Sequence, residues 1–107
     1  MKGFELILYT RSGCCLCEGL EEKLKSIPLE KLSPELQFVI KNIDGDSVTN
    51  LEKRKYSMEV PVLVFRLYSD RDLNIDLPRV SPRLTKEDLF RWLKKMLYEK
   101  IHIEQDP

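Results

Sequence analysis

Three cysteines carry the most distinctive chemistry this chain offers. All three fall within four positions, Cys14-Cys15-Leu16-Cys17. Two residues separate Cys14 from Cys17, a spacing that lets two thiols close a disulfide across the first turn of a helix. A strand-like run precedes the cluster and a helix-like run follows it. The first N–H groups of a helix lack partners within it, and the helix dipole adds partial positive charge there. Both effects favour thiolate over thiol at Cys14. The chemistry to expect is thiol–disulfide exchange, with Cys14 attacking and Cys17, one turn on and more buried, resolving. Arg11, three residues upstream, adds a further favourable charge.

Two other readings stay open on the residues alone. A structural zinc site needs four ligands, and the chain offers three clustered cysteines plus a lone His102 near its far end, read as a solvated surface residue. A zinc site within one chain is therefore disfavoured, and no metal site is assigned. A cluster shared between two chains, such as an iron–sulfur centre, remains an alternative. In the other reading the thiols merely pack, although a cysteine pair at a helix start rarely serves packing alone. Cys15 cannot bridge to its neighbour without straining the backbone. It reads as a bystander or a secondary site of modification, and Leu16 as part of the rim beside it.

The elements that must position these residues follow from pattern. Phe4 to Thr10 is short, apolar and aromatic, as in a strand covered on both faces. Arg11-Ser12-Gly13 breaks it. From Cys17 the apolar positions are Cys17, Leu20, Leu24 and Ile27, near helical spacing, until Pro28 ends the helix. Leu36 to Ile43 reads as a second strand. Asp44-Gly45-Asp46-Ser47 is turn chemistry ending in a helix cap, and Val48, Leu51 and Tyr56 anchor a charged helix of about ten residues. Val62 to Leu67 is a third strand, Ser69 to Asp72 a hairpin loop, and Leu73 to Leu77 a short fourth strand. Thr85-Lys86-Glu87-Asp88 caps a last helix whose apolar face is Leu89, Trp92 or Leu93, Met96 and Leu97. The tail from Glu104 reads as frayed. The order is β-α-β-α-β-β-α. Helical crossovers predict three parallel strands, and the tight loop an antiparallel fourth.

The bulk numbers bound the function. A chain of 107 residues fits one domain, with its core over about 4–101. Eighteen basic and eighteen acidic side chains balance to zero net charge, which gives no electrostatic case for nucleic acid or membrane partners. The N-terminus lacks signal-peptide anatomy, and Leu6 to Tyr9 is far too short to span a bilayer. A cytoplasmic, monomeric protein is the expectation. In that reducing setting clustered cysteines read as catalytic or metal-binding rather than structural.

The segment Leu8-Tyr9-Thr10-Arg11-Ser12-Gly13-Cys14-Cys15-Leu16-Cys17 resembles the active-site segment of glutaredoxins, within the thioredoxin-like fold. Glu59-Val60-Pro61-Val62-Leu63 resembles the family's Val-Pro segment, whose proline is cis and lies against the cysteines. The spacing to Pro61 and the intervening Asn42-Ile43-Asp44 also fit. The resemblance runs from about Leu6 to Phe65. It implies a glutaredoxin-type α/β fold, βαβαββα, with a four-stranded mixed sheet flanked by three helices. It implies dithiol exchange through Cys14 and Cys17, with Arg11, Val60 and Pro61 meeting a substrate or glutathione. The backbone of Val60 would pair with an incoming peptide in strand-like fashion. An ordinary trans proline opening a strand is the plainer alternative. The partners implied are disulfide-containing proteins or glutathione, with no tightly bound cofactor.

Two departures stand out. Cys15 and Leu16 replace the family's usual Pro-Tyr. Leu77 to Leu84 lacks the Gly-Gly turn and Asp that hold the γ-glutamyl end of glutathione; Arg79 and Arg83 read either as meeting a carboxylate instead or as solvated surface arginines. The chain is most similar to the small glutaredoxin-like group with a degenerate glutathione motif. The alternatives are a metal or iron–sulfur binding module using Cys14 and Cys17, and a redox-inactive adaptor on the same fold.

Overall fold

The structure, a computed structural model, describes residues 3–68, 72–81 and 83–102, with side chains up to residue 100. The expected frayed tail, the loop residues 69–71 and the side chain of His102 lie outside the described residues. The elements in chain order are β1 (Gly3–Thr10), α1 (Cys15–Ser26), a 3-10 turn at Leu29–Lys31, β2 (Leu36–Asn42), α2 (Asn50–Tyr56), β3 (Val62–Tyr68), β4 (Leu73–Asp76) and α3 (Lys86–Leu97), with a π turn at Tyr98–His102. This is the mixed four-stranded α/β arrangement expected, with sheet order β2-β1-β3-β4.

β1 is central and buried on both faces, which explains its unbroken apolar run. Alternation along the strand splits the interior in two. Phe4, Leu6 and Leu8 join Phe65, Leu20, Leu24, Leu89 and Leu93 on the side covered by α1 and α3. Ile7 and Tyr9 join Val64, Ile43, Val48 and Tyr56 on the side where α2 packs. Of the two aromatic and aliphatic options on α3, Leu93 is fully buried and Trp92 only partly.

The direction of β3 departs from expectation. β1 and β2 are parallel, but β1 and β3 are antiparallel, as are β3 and β4. The reason is where the intervening segment begins and ends. Asn42 lies beside Thr10, and Val62 lies beside Tyr9, so residues 43–61 leave and return at the same end of the sheet. α2 has seven residues and spans about 10 Å at 1.5 Å per residue, whereas β2 spans about 23 Å at 3.3 Å per residue. Such a helix does not carry the chain back to the far end. β3 must then run opposite to β2.

α2 also starts later and is shorter than the pattern predicts. Its cap is Thr49, not Ser47. The Thr49 hydroxyl accepts from the Glu52 N–H at 3.1 Å, and the Glu52 carboxylate accepts from the Thr49 N–H at 2.8 Å. Val48 is buried ahead of the helix, and Leu51, read as an anchor, is 73% exposed. Among the described residues, no helix is long and apolar enough to cross a membrane.

Candidate active site

The end of the sheet where β1 stops and β3 starts collects the cysteines, Arg11, Val60 and Pro61. β1 ends at Thr10, and the chain turns through Arg11, Ser12 and Gly13 into α1. Gly13 has φ of 81°, a backbone region that residues with a side chain rarely adopt. Open space surrounds the position where its Cβ would stand, so the constraint there is purely conformational. The Cys14 N–H donates to the Arg11 carbonyl at 3.2 Å, closing the turn.

Cys14 is the N-cap of α1, in extended backbone conformation. The Cys17 N–H donates to the Cys14 sulfur at 3.1 Å. A sulfur at that position faces the positive end of the helix dipole and the Cys17 N–H, both of which favour its anionic form when reduced. Cys14 and Cys17 form a disulfide, with Cα atoms 5.2 Å apart. Their surroundings differ. Cys17 is fully buried, Cys14 is half-buried, and Cys15 is exposed with a free thiol.

Arg11 turns to Asp44 and to the turn before β3. Its Nε and one terminal nitrogen donate to the two Asp44 oxygens at 2.9 and 3.1 Å, and the other terminal nitrogen donates to the Ser57 carbonyl at 3.1 Å. The Arg11 guanidinium holds the Asp44 carboxyl below its ordinary range. The positive charge read beside Cys14 is therefore shared with a carboxylate 33 positions on. Asn42 ties the same loop to β2: its side-chain Nδ2 donates to the Ser12 hydroxyl at 3.2 Å, and its side-chain Oδ1 accepts from the Asp44 N–H at 2.9 Å.

Val60 and Pro61 are half-buried at the head of β3, and the peptide bond between them is cis. The turn that carries them is held from two sides. Arg11 donates to the Ser57 carbonyl, and Arg79 donates to the Glu59 carbonyl at 3.5 Å. Sequence reading missed Asp44, Asn42 and Ser57 as parts of the site. Only Asn42 and Asp44 carried any signal, as part of a fitting Asn-Ile-Asp stretch, and neither pairing is local.

Beneath this end, on the α2 side, Tyr9 donates its hydroxyl to Glu52, and Lys41 lies 3.5 Å from the same carboxylate. Burial, and then Glu52, push the Tyr9 hydroxyl well above its ordinary range. Tyr56 stacks on Tyr9 with centroids 4.5 Å apart and donates to Asp76 at 2.7 Å. These contacts dock α2 onto β1, β2 and β4.

On the opposite side of the cysteines lies a cleft of about 260 Å³ between α1 and a stretch that contributes Arg79, Val80, Ser81 and Leu84. Cys15, Leu16 and Pro61 line it, and so does Arg79, which reaches the Glu59 carbonyl on the turn before Pro61. Arg83, the other candidate for a carboxylate, is exposed and does not line it. Among the described residues, no three His, Cys, Asp or Glu side chains form a group that could hold a metal ion.

Residues 5–94 match the family model described as Glutaredoxin-like domain (DUF836). No curated protein matches. Among solved structures, the germline-specific thioredoxin Deadhead of Drosophila melanogaster is similar at a TM-score of 0.59 and 19% identity, over 88% of this chain and 81% of that one. A structure described as a malarial protein is similar at 0.56 and 16% identity, over 89% and 98%. The protein XcR50 from X. campestris aligns at 26% identity over 84% and 96%, with a TM-score of 0.45. The first two likenesses speak to the fold.

Proposed function

The chain belongs to the glutaredoxin-like family of the thioredoxin fold, and from that premise we propose that it is a thiol–disulfide oxidoreductase working through Cys14 and Cys17. The observation that carries the proposal is the asymmetry of the pair. Cys14 is the accessible sulfur, with the Cys17 N–H aimed at it, while Cys17 is sealed behind it. A large disulfide substrate can therefore reach one sulfur and not the other.

In the forward direction the Cys14 thiolate attacks a substrate disulfide. A Cys14–substrate disulfide forms, and one substrate sulfur leaves as thiolate and takes up a proton. Cys17 then loses its proton and attacks the Cys14 sulfur. The second substrate thiol leaves, and the Cys14–Cys17 disulfide remains. Two electrons pass from the dithiol to the substrate. Two equivalents of a monothiol such as glutathione, or one dithiol, restore the reduced pair. Protein disulfides and glutathione mixed disulfides are the substrates, and the cytoplasm, where such thiols abound, is the setting. No resident cofactor takes part, and the protein acts as a monomer. Val60 offers its backbone to the substrate chain. Arg11 acts by holding Ser57, and with it the turn that presents Val60 and Pro61.

Alkylation of the reduced protein, followed against pH, tests the reading. Cys14 is expected to titrate well below the free-thiol value of about 8.5. Equilibration in glutathione and glutathione disulfide is expected to yield the Cys14–Cys17 disulfide. A midpoint near the free value, with no disulfide formed, would overturn it.

A further inference from the structure

The cleft beside Cys15 and Leu16 is apolar in its walls and cationic in its charges. Leu16, Leu20, Val80, Leu84, Leu89 and Pro61 are apolar residues that line it, and among the described residues Lys23 and Arg79 are the charged ones that do. Leu16 is 51% exposed at its mouth, next to the reactive pair. Arg79 is exposed. Its hydrogen bond to the Glu59 carbonyl, at 3.5 Å, uses one of the five N–H donors a guanidinium carries.

These surfaces match one chemistry. Apolar walls of this size accept a bulky apolar side chain, and an exposed guanidinium lining the same cleft selects a carboxylate. Glutathione brings carboxylates but no apolar side chain beside its cysteine. It leaves the leucine walls unfilled. A protein segment carrying both an apolar and an acidic residue near its cysteine satisfies both.

We infer that the cleft is the specificity site of this protein. It selects protein disulfides whose reactive cysteine is flanked by a bulky apolar residue and an acidic residue, through Leu16 and Arg79. The inference rests on the disulfide exchange proposed above. The Cys14 sulfur takes the substrate cysteine while the flanking residues enter the cleft. Exposure of both selecting side chains lets them be changed without opening the core.

The test is a single-turnover reaction of the pre-reduced protein with short peptides. Each peptide bears one cysteine as a mixed disulfide with pyridine-2-thiol. Attack of Cys14 on the peptide sulfur releases pyridine-2-thione, and Cys17 then displaces the peptide thiol. One peptide carries Phe and Glu on both sides of its cysteine. A second has Lys for Glu, and a third has Ser for Phe. A small uncharged disulfide, 2-hydroxyethyl disulfide, reports the thiol chemistry alone.

The Phe-Glu peptide is expected to react several-fold to about tenfold faster than either other peptide, and its lead over the Lys peptide to shrink as salt rises. Arg79→Glu should reverse the Glu-over-Lys preference. Leu16→Ser should erase the Phe-over-Ser preference. Each peptide rate is taken relative to the small-disulfide rate of the same variant, so any shift of the turn that Arg79 helps to hold cancels in the ratio. Equal rates for the three peptides, with the small disulfide reduced normally, would overturn the cleft and leave the oxidoreductase standing. So would a glutathione disulfide rate that equals that of the Phe-Glu peptide and falls with it in both variants. Failure to reduce even the small disulfide would overturn both readings together.

Discussion

At the scale of single residues, the division of labour between Cys14 and Cys17 follows from exposure and from one backbone hydrogen bond. Cys17→Ser is expected to accumulate a Cys14–substrate disulfide that intact-mass measurement detects. A serine hydroxyl cannot displace the bound thiol. Cys14→Ser should form no adduct on Cys17 and show no turnover, while Cys15→Ser should keep both steps. An adduct on Cys17 in the Cys14 variant would mean that the buried sulfur is reached and the assigned roles are wrong. These two cysteines were legible because everything that makes them reactive is local: the spacing, the glycine before them and the helix start. The partner of Arg11 was not. Asp44 lies 33 positions away, and nothing in either neighbourhood indicates that the turn after β2 folds back onto the turn after β1. Pairing an exposed arginine with an exposed aspartate in this way has little weight for stability. Its consequence is positional, through the Ser57 carbonyl.

α2 is the element that sequence pattern served least well, and physical reasons account for it. Seven residues give two turns, too few for an apolar stripe to show. The stronger signal was Thr49-Asn50-Leu51-Glu52, a capping-box sequence that Ser47 two positions earlier obscured. One oxygen of the Glu52 carboxylate caps this helix by accepting from Thr49, and the other holds it to the sheet by accepting from Tyr9 with Lys41 nearby. Burial alone would raise its pKa. The Thr49 backbone, Tyr9 and the remaining partners outweigh burial, and the carboxyl lies below its ordinary range. The folded state therefore favours the ionised form. Glu52 contributes its full stabilisation above the ordinary glutamate value of about 4.3, and loses it as pH falls from there through the depressed folded value. Urea midpoints of the wild type and of Glu52→Gln should differ at pH 7 and converge in acid. A gap that stays constant with pH would mean that the charge of Glu52 is not what docks α2. Thr49→Ala should lower stability by about 1 kcal/mol at neutral pH.

For the molecule as a whole, the antiparallel pairing of β1 with β3 is what makes a site out of distant segments. If β3 ran parallel to β1, Pro61 would enter at the opposite end of the sheet from Cys14. Helix-to-strand alternation cannot distinguish these outcomes, because it fixes which elements exist and not the end at which a short connection returns. The arrangement then depends on the interior that fixes β3 against β1. Phe65 is at its centre: fully buried, opposite Leu6 on β1 and Ile75 on β4, and packed on Phe4 with ring centroids 5.3 Å apart. Leu51, at 73% exposure, belongs to no such contact network and provides the contrast. Phe65→Ala is expected to cost about 3–5 kcal/mol, from lost transfer energy and the cavity left behind, whereas Leu51→Ala should stay within about 0.5 kcal/mol. Domains of this kind have about 5–15 kcal/mol of stability in total, so the first loss brings unfolding within reach of moderate temperature. Thermal unfolding of the oxidised protein measures both. Equal, small effects would place the interior elsewhere. A large loss at Phe65 alone would show that the geometry joining Cys14 to Pro61 rests on the α1–α3 side of the sheet, the side that also carries the cleft.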